Sequence, residues 1–199
     1  MIVGAILTQQ TSWKNVEKAL QNLKSANALT PEGIDKCRID KLEELIKPAG
    51  FYRIKAKRLK NFIAFFRKQY HLRMEALFEE EKEKLRKELL KINGIGNETA
   101  DSILLYALDK PTFVVDNYTK RIMFRIGISD NPKEDYDKIK NQFEDALKEK
   151  DEQETIEKYK EMHALIVELG KNYCKKRPLC NECPLNKICQ KKGVRNELG

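Results

Sequence analysis

The chain has 199 residues, 41% of them hydrophobic and 35% charged, with a net charge of +8. The apolar residues are dispersed rather than massed, which permits a packed core but leaves no run of about 20 residues that would cross a bilayer as a helix. The basic balance favours a polyanionic partner, although a well-solvated helical surface would look the same.

Read in chain order, the sequence is helical almost throughout. The opening Met1–Leu7 stretch is apolar and short, without the basic segment of a secretion signal, so a soluble intracellular protein is expected. From Trp13 to Leu23 a 3.6-residue period puts Val16, Ala19, Leu20 and Leu23 on one stripe. The first helix has no capping residue ahead of it, which leaves two expectations open: a naturally short chain, or a preceding segment. Thr30-Pro31 supplies an N-cap followed by proline at the first helical position. Asp40–Ile46 reads as a short helix stopped by Pro48 and Gly50, with the isolated Cys37 placed in a helix and at least partly buried. Phe51–Tyr70 is a long amphipathic helix that buries Leu59, Phe62, Ile63 and Phe66.

Further helices are expected over 85–90, 98–108, 118–126, 136–147 and 156–169. Only Thr112-Phe113-Val114-Val115 looks extended, so the fold class is all-α. Asp109-Lys110-Pro111-Thr112 is the candidate joint, dividing a helical domain 1–110 from a second one 111–199. His163, among Leu165, Ile166 and Leu169, reads as a packing residue rather than a ligand.

Three local patterns carry chemistry. In Leu89-Leu90-Lys91-Ile92-Asn93-Gly94-Ile95-Gly96-Asn97-Glu98-Thr99-Ala100, two helices are joined by a reversal with glycines two apart. Glycine allows the positive φ of a tight turn, and amides opening the second helix form an anion site; an ordinary helix–helix turn has the same pattern. Twenty residues beyond Gly96, Asp116 ends an apolar stretch before a helix, the position of an N-cap. Cys174, Cys180, Cys183 and Cys189 follow a C-x5-C-x2-C-x5-C spacing, and four thiolates hold either zinc or a [4Fe–4S] cluster.

Taken together and in this order, hairpin, aspartate and four cysteines resemble the helix-hairpin-helix DNA glycosylase superfamily of the endonuclease III type, with Asn93 in place of the hairpin's usual proline and one residue fewer in the first cysteine gap. The resemblance covers residues 7–189. Within the superfamily, Gly50-Phe51-Tyr52, Lys55-Ala56-Lys57-Arg58-Leu59 and Gly94–Leu104 are most similar to the endonuclease III-like 3-methyladenine DNA glycosylases, to whose pattern the four cysteines are an addition.

The resemblance implies two helical domains with a cleft between them and a C-terminal iron–sulfur loop. It implies backbone contacts to DNA from Ile92, Gly94, Gly96, Asn97 and Lys120, with Lys55, Lys57, Arg58 and the Lys175–Leu179 loop as further phosphate candidates. Asp116 corresponds to the catalytic carboxylate. Gln10 corresponds to the glutamine that fills the gap left by a flipped base, and Trp13, Tyr52 and Glu98 belong to the base pocket, with Phe51 expected in the core. Glu98 stands where strand-cleaving members carry a lysine, so a monofunctional enzyme is expected, hydrolytically releasing an alkylated purine such as 3-methyladenine. The cysteines imply a structural [4Fe–4S] cluster, with zinc as the alternative. The expected partner is double-stranded DNA containing a damaged base, bound by a monomer in the cytoplasm, at the nucleoid of a prokaryote-like cell. The alternatives are a glycosylase and abasic-site lyase acting on oxidised pyrimidines, a mismatch glycosylase, or a non-catalytic DNA-structure-binding module.

Overall fold

The computed structural model describes residues 1–194. The chain divides into two compact units, Met1–Lys110 and Pro111–Gly199. Among the described residues there is no β-strand and no helix long and apolar enough to cross a membrane.

The first unit holds α1 (Ile2–Leu7), α2 (Trp13–Ser25), α3 (Pro31–Lys36), α4 (Ile39–Leu45), α5 (Tyr52–Tyr70), α6 (Met74–Glu79), α7 (Lys82–Leu90) and α8 (Asn97–Leu108). Its core is continuous, with Ile6, Leu7, Val16, Leu23, Leu42, Leu59, Phe66, Leu85 and Leu104 all within it. α3 starts where the sequence places it, because the Thr30 side chain accepts from Gly33 N–H (2.9 Å) and Pro31 opens the helix. Cys37 caps the C-terminal end of α3 in an extended conformation and is half-buried.

α5 is the long amphipathic helix expected, with Leu59, Phe62, Ile63 and Phe66 buried. Its start differs from expectation at two residues. Phe51 is not in the core: it is the N-cap, at φ 44° in the left-handed region, and 61% exposed. Lys55 is only 1% exposed and therefore no phosphate ligand; its ammonium donates to the Ala49 carbonyl (2.7 Å). Burial, helped by the nearby Arg58 charge, lowers the Lys55 pKa to about 8.

α7 and α8 flank the hairpin and are braced across their contact. The Arg86 guanidinium forks onto the Asp101 carboxylate (Nε–Oδ1 2.7 Å, Nη2–Oδ2 3.1 Å), and Asp101 has no exposed surface. A paired carboxylate tolerates such burial, whereas a solitary one does not.

The second unit holds α9 (Asn117–Ile126), α10 (Tyr136–Leu147) and α11 (Glu152–Asn172), followed by the cysteine tail. Phe113 lies in an extended segment, stacks on Phe143 (centroids 4.2 Å apart) and meets Tyr159 edge-on. α9 packs on α11 at Gly170, where a Cβ would overlap the Tyr118 ring.

The Arg86–Asp101 pair yields a stability test. Arg86→Met takes the guanidinium from a buried carboxylate, so chemical denaturation should report a loss of about 3–5 kcal/mol, whereas Asp101→Leu with Arg86→Met should recover much of it.

Candidate active site and nucleic-acid interface

The hairpin begins with Ile92 and Ile95, which are 8% and 5% exposed and fasten the turn to the core beneath it. Gly94 adopts φ +96°, and a Cβ there would run into the Arg58 stem, so glycine is required on both counts. Ile95 N–H closes the turn onto the Ile92 carbonyl (3.0 Å). Among the described residues, the Gly94 and Gly96 amides take part in no intramolecular hydrogen bond. Gly96 caps α8 in an extended conformation, and Asn97 opens that helix. The arrangement is a short exposed turn with donors ahead of a 12-residue helix, which suits an anion. Glu98 is exposed in the first turn of α8, and its carbonyl accepts from Ser102 Oγ (2.6 Å).

The loop between α1 and α2 lies in the same unit. Gln10 is exposed and held at φ 54°, in the left-handed region. Gln9, its half-buried neighbour, reaches the hairpin: Nε2 donates to the Gly94 carbonyl (3.0 Å) and to Thr99 Oγ1 (2.8 Å), and Arg58 donates to Oε1. Trp13 is 44% exposed, with its ring edge over Gly4. Tyr52 is half-buried at the start of α5, with Arg53 over its ring at 5.7 Å. Lys57 is exposed.

Asp116 caps α9 and is part of a reciprocal capping box. Its Oδ1 accepts from Thr119 N–H (2.7 Å) and Thr119 Oγ1 (2.8 Å), while Thr119 Oγ1 accepts from Asp116 N–H (3.4 Å). The second oxygen, Oδ2, faces His163 Nε2 at 3.9 Å, and the Asp116 side chain keeps 12% of its surface exposed. His163, on α11, meets the Phe113 ring edge-on. The sequence reading missed this histidine: its apolar neighbours spoke for packing, and nothing in local spacing links it to a carboxylate 47 residues earlier. Burial lowers the His163 pKa and the Asp116 charge partly offsets this. Lys120, a turn further along α9, donates to the Glu134 carbonyl (2.9 Å).

The four cysteines are free, half-buried thiols that line one cavity together with Arg125 and Asn186. Among the described residues, no three potential ligands stand close enough to hold a single ion. The tail clasps the far end of α9. Arg121 donates to the Cys174 carbonyl (2.7 Å), Arg125 to Cys174 Sγ (3.4 Å) and the Lys176 carbonyl (3.2 Å), and Lys192 N–H to the Arg125 carbonyl (3.1 Å). Lys175, Lys176 and Arg177 are exposed beside it.

Comparison with known proteins places the whole chain in a family. A Methanocaldococcus jannaschii protein named as a DNA repair glycosylase is 52% identical over 194 residues, covering 96% of this chain and 85% of its own. Endonuclease III of Thermotoga maritima is 30% identical over 96% of this chain and 81% of its own. The crystal structure of the H. pylori 3-methyladenine DNA glycosylase bound to 1,N6-ethenoadenine superposes with a TM-score of 0.75 at 34% identity, covering 85% of this chain and 83% of that one. Residues 3–149 match the family described as "HhH-GPD superfamily base excision DNA repair protein". The chain belongs to the HhH-GPD superfamily of base excision DNA repair proteins.

Proposed function

We propose that this DNA glycosylase is monofunctional and hydrolyses the glycosidic bond of an alkylated purine, of which 3-methyladenine is the type, in double-stranded DNA. The observation that carries the reading is the division of labour within Asp116: Oδ1 is fixed by Thr119, and Oδ2 faces the half-buried His163 at 3.9 Å.

An N-alkylated purine is cationic. When its C1′–N bond breaks, the electron pair goes to the base, which leaves neutral, and positive charge develops on the sugar. A carboxylate held rigidly beside that sugar stabilises it, and water then adds hydroxide to C1′ while its proton passes to the carboxylate or to solvent. The products are a free base and an intact abasic strand. Glu98 occupies the position of the family's strand-cleaving lysine and has no amine with which to form a Schiff base. The relation to the H. pylori enzyme, whose name specifies 3-methyladenine, supports the substrate class.

Trp13 and Tyr52, both partly exposed, supply aromatic faces for a flipped cationic base. Gln10 fills the vacated stack, and Phe51, exposed and locked in a left-handed conformation, acts as an apolar wedge. The turn at Gly94–Asn97 and the exposed Lys175–Arg177 run hold the backbone of a DNA bound by a single copy of the enzyme.

Four thiols that line one cavity, spaced C-x5-C-x2-C-x5-C, suit a [4Fe–4S] cluster held by Cys174, Cys180, Cys183 and Cys189. When bound, the cluster cross-links a tail too small to have its own core. Arg121 and Arg125 connect that tail to α9, whose opposite end is Asp116.

Asp116→Asn should lower single-turnover release of 3-methyladenine by at least about a thousandfold while leaving affinity for the same duplex within about threefold. Borohydride trapping of the wild type on that substrate should give no covalent adduct; a strong adduct refutes monofunctional hydrolysis. Cys183→Ser should lower iron and acid-labile sulfide per chain together and reduce the melting temperature; zinc recovered in place of iron would exclude the cluster.

His163 sets a pH dependence. Its folded pKa lies below the unfolded value of about 6.5, so the unfolded chain takes up the proton more readily. The contribution is present above that value and is lost as pH falls below it. Melting temperature should therefore drop as pH falls below about 6.5, and His163→Gln should shallow that slope.

A further inference from the structure

We infer that Gln9 and Arg58 are a positioning pair that ties the loop carrying Gln10 to the backbone-gripping turn, so that filling the base stack and holding the strand move as one body. The inference rests on the glycosylase reading and adds to it two residues that the reading does not use.

The geometry is specific. The Gln9 amide reaches across 85 residues of sequence to the Gly94 carbonyl (3.0 Å) and across 90 to Thr99 Oγ1 (2.8 Å). Its oxygen accepts from Arg58, on α5. Both donor hydrogens and the acceptor are thereby in use, which a glutamine facing water has no need of. Arg58 also lays its aliphatic stem against Gly94, in the space a Cβ would occupy.

Gly94 therefore meets a partner on each side, an amide on its carbonyl and a methylene at its Cα. This matters because the residue that permits the reversal also has the most conformations to lose. Asn61 adds a third tie, donating to the Asn93 carbonyl (3.0 Å). On the other side of the connection, Gln10 follows Gln9 directly and is exposed at φ 54°. The backbone at residue 10 sets its Cα–Cβ bond, so a shift of residue 9 displaces the root of the Gln10 side chain. Catalytic geometry tolerates little misplacement, about 1 Å being enough to cost a hundredfold in rate.

The test uses the full chain and two duplexes carrying the same alkylated purine, one with a nucleotide opposite the lesion and one with a gap there, where no stack needs filling. Gln9→Ala should slow single-turnover release from the paired substrate about tenfold and from the gapped one less than about twofold. Gln9→Glu should behave like Gln9→Ala, because a carboxylate offers the Gly94 carbonyl no donor. Arg58→Ala should match them, and the double variant should lose no more than the worse single, as coupled residues do. Melting temperatures identify variants that have simply lost structure; for any such variant, 2-aminopurine fluorescence beside a stable abasic analogue reads stack filling at a temperature where it remains folded.

Equal losses on both duplexes, additive losses in the double variant, or wild-type rates in Gln9→Ala would overturn the tie. Absence of base release from the wild type would instead overturn the glycosylase reading. The 2-aminopurine signal would still decide the tie, falling in Gln9→Ala if it exists and unchanged if it does not.

Discussion

The reciprocal bonds between Asp116 and Thr119 are the constraint on which the second unit turns. A helix start leaves amides that need acceptors, and a short acidic side chain meets that need without leaving its own backbone. Because the capping bonds use only Oδ1, the same residue presents Oδ2 at a fixed height above the first turn of α9. Structural and chemical roles are thus not rivals at this position. What would make an ordinary cap is one oxygen, and what distinguishes this one is the other, set 3.9 Å from a half-buried imidazole.

That arrangement is held from behind. α9 carries two arginines, Arg121 and Arg125, that donate to backbone carbonyls of α11 and the tail and to one thiol of the tail. Guanidinium groups suit this task because their donors are fixed in a plane and remain charged at any accessible pH. The tail itself has few buried apolar residues, so its order has to come from such bonds and from whatever its four thiols hold. α9 therefore has the Asp116 cap at one end and bonds to the tail along the rest of its length.

Much of this was legible in the sequence, for reasons that can be named. The Thr30-Pro31 start, the apolar stripe of α5 and the limits of α10 at Tyr136 and Leu147 follow from local chemistry, and the structure agrees at each. α6 was not seen because Met74–Glu79 is six residues long and buries only Leu77, too short for a period to declare itself. Phe51 was assigned to the core on hydrophobicity, yet the left-handed backbone after Gly50 turns it outward. Lys55 was assigned to the surface on charge, yet its period along α5 places it inside, where its ammonium donates a hydrogen bond to one carbonyl. His163 and Gln9 have a common reason for escaping notice: each owes its role to a partner more than 40 residues away, and no window on the sequence contains both members.

The crossing of α9 and α11 at Gly170 has a bearing on chemistry that its location does not advertise. With only a hydrogen on that α-carbon, the Tyr118 side chain takes the space that a Cβ would fill, and α9 packs on α11 there. His163 is two turns earlier on the same helix, so its distance to the carboxylate is gauged at the crossing rather than at the site. A single methyl group added there would work as a spacer, widening the gap between imidazole and oxygen without touching either.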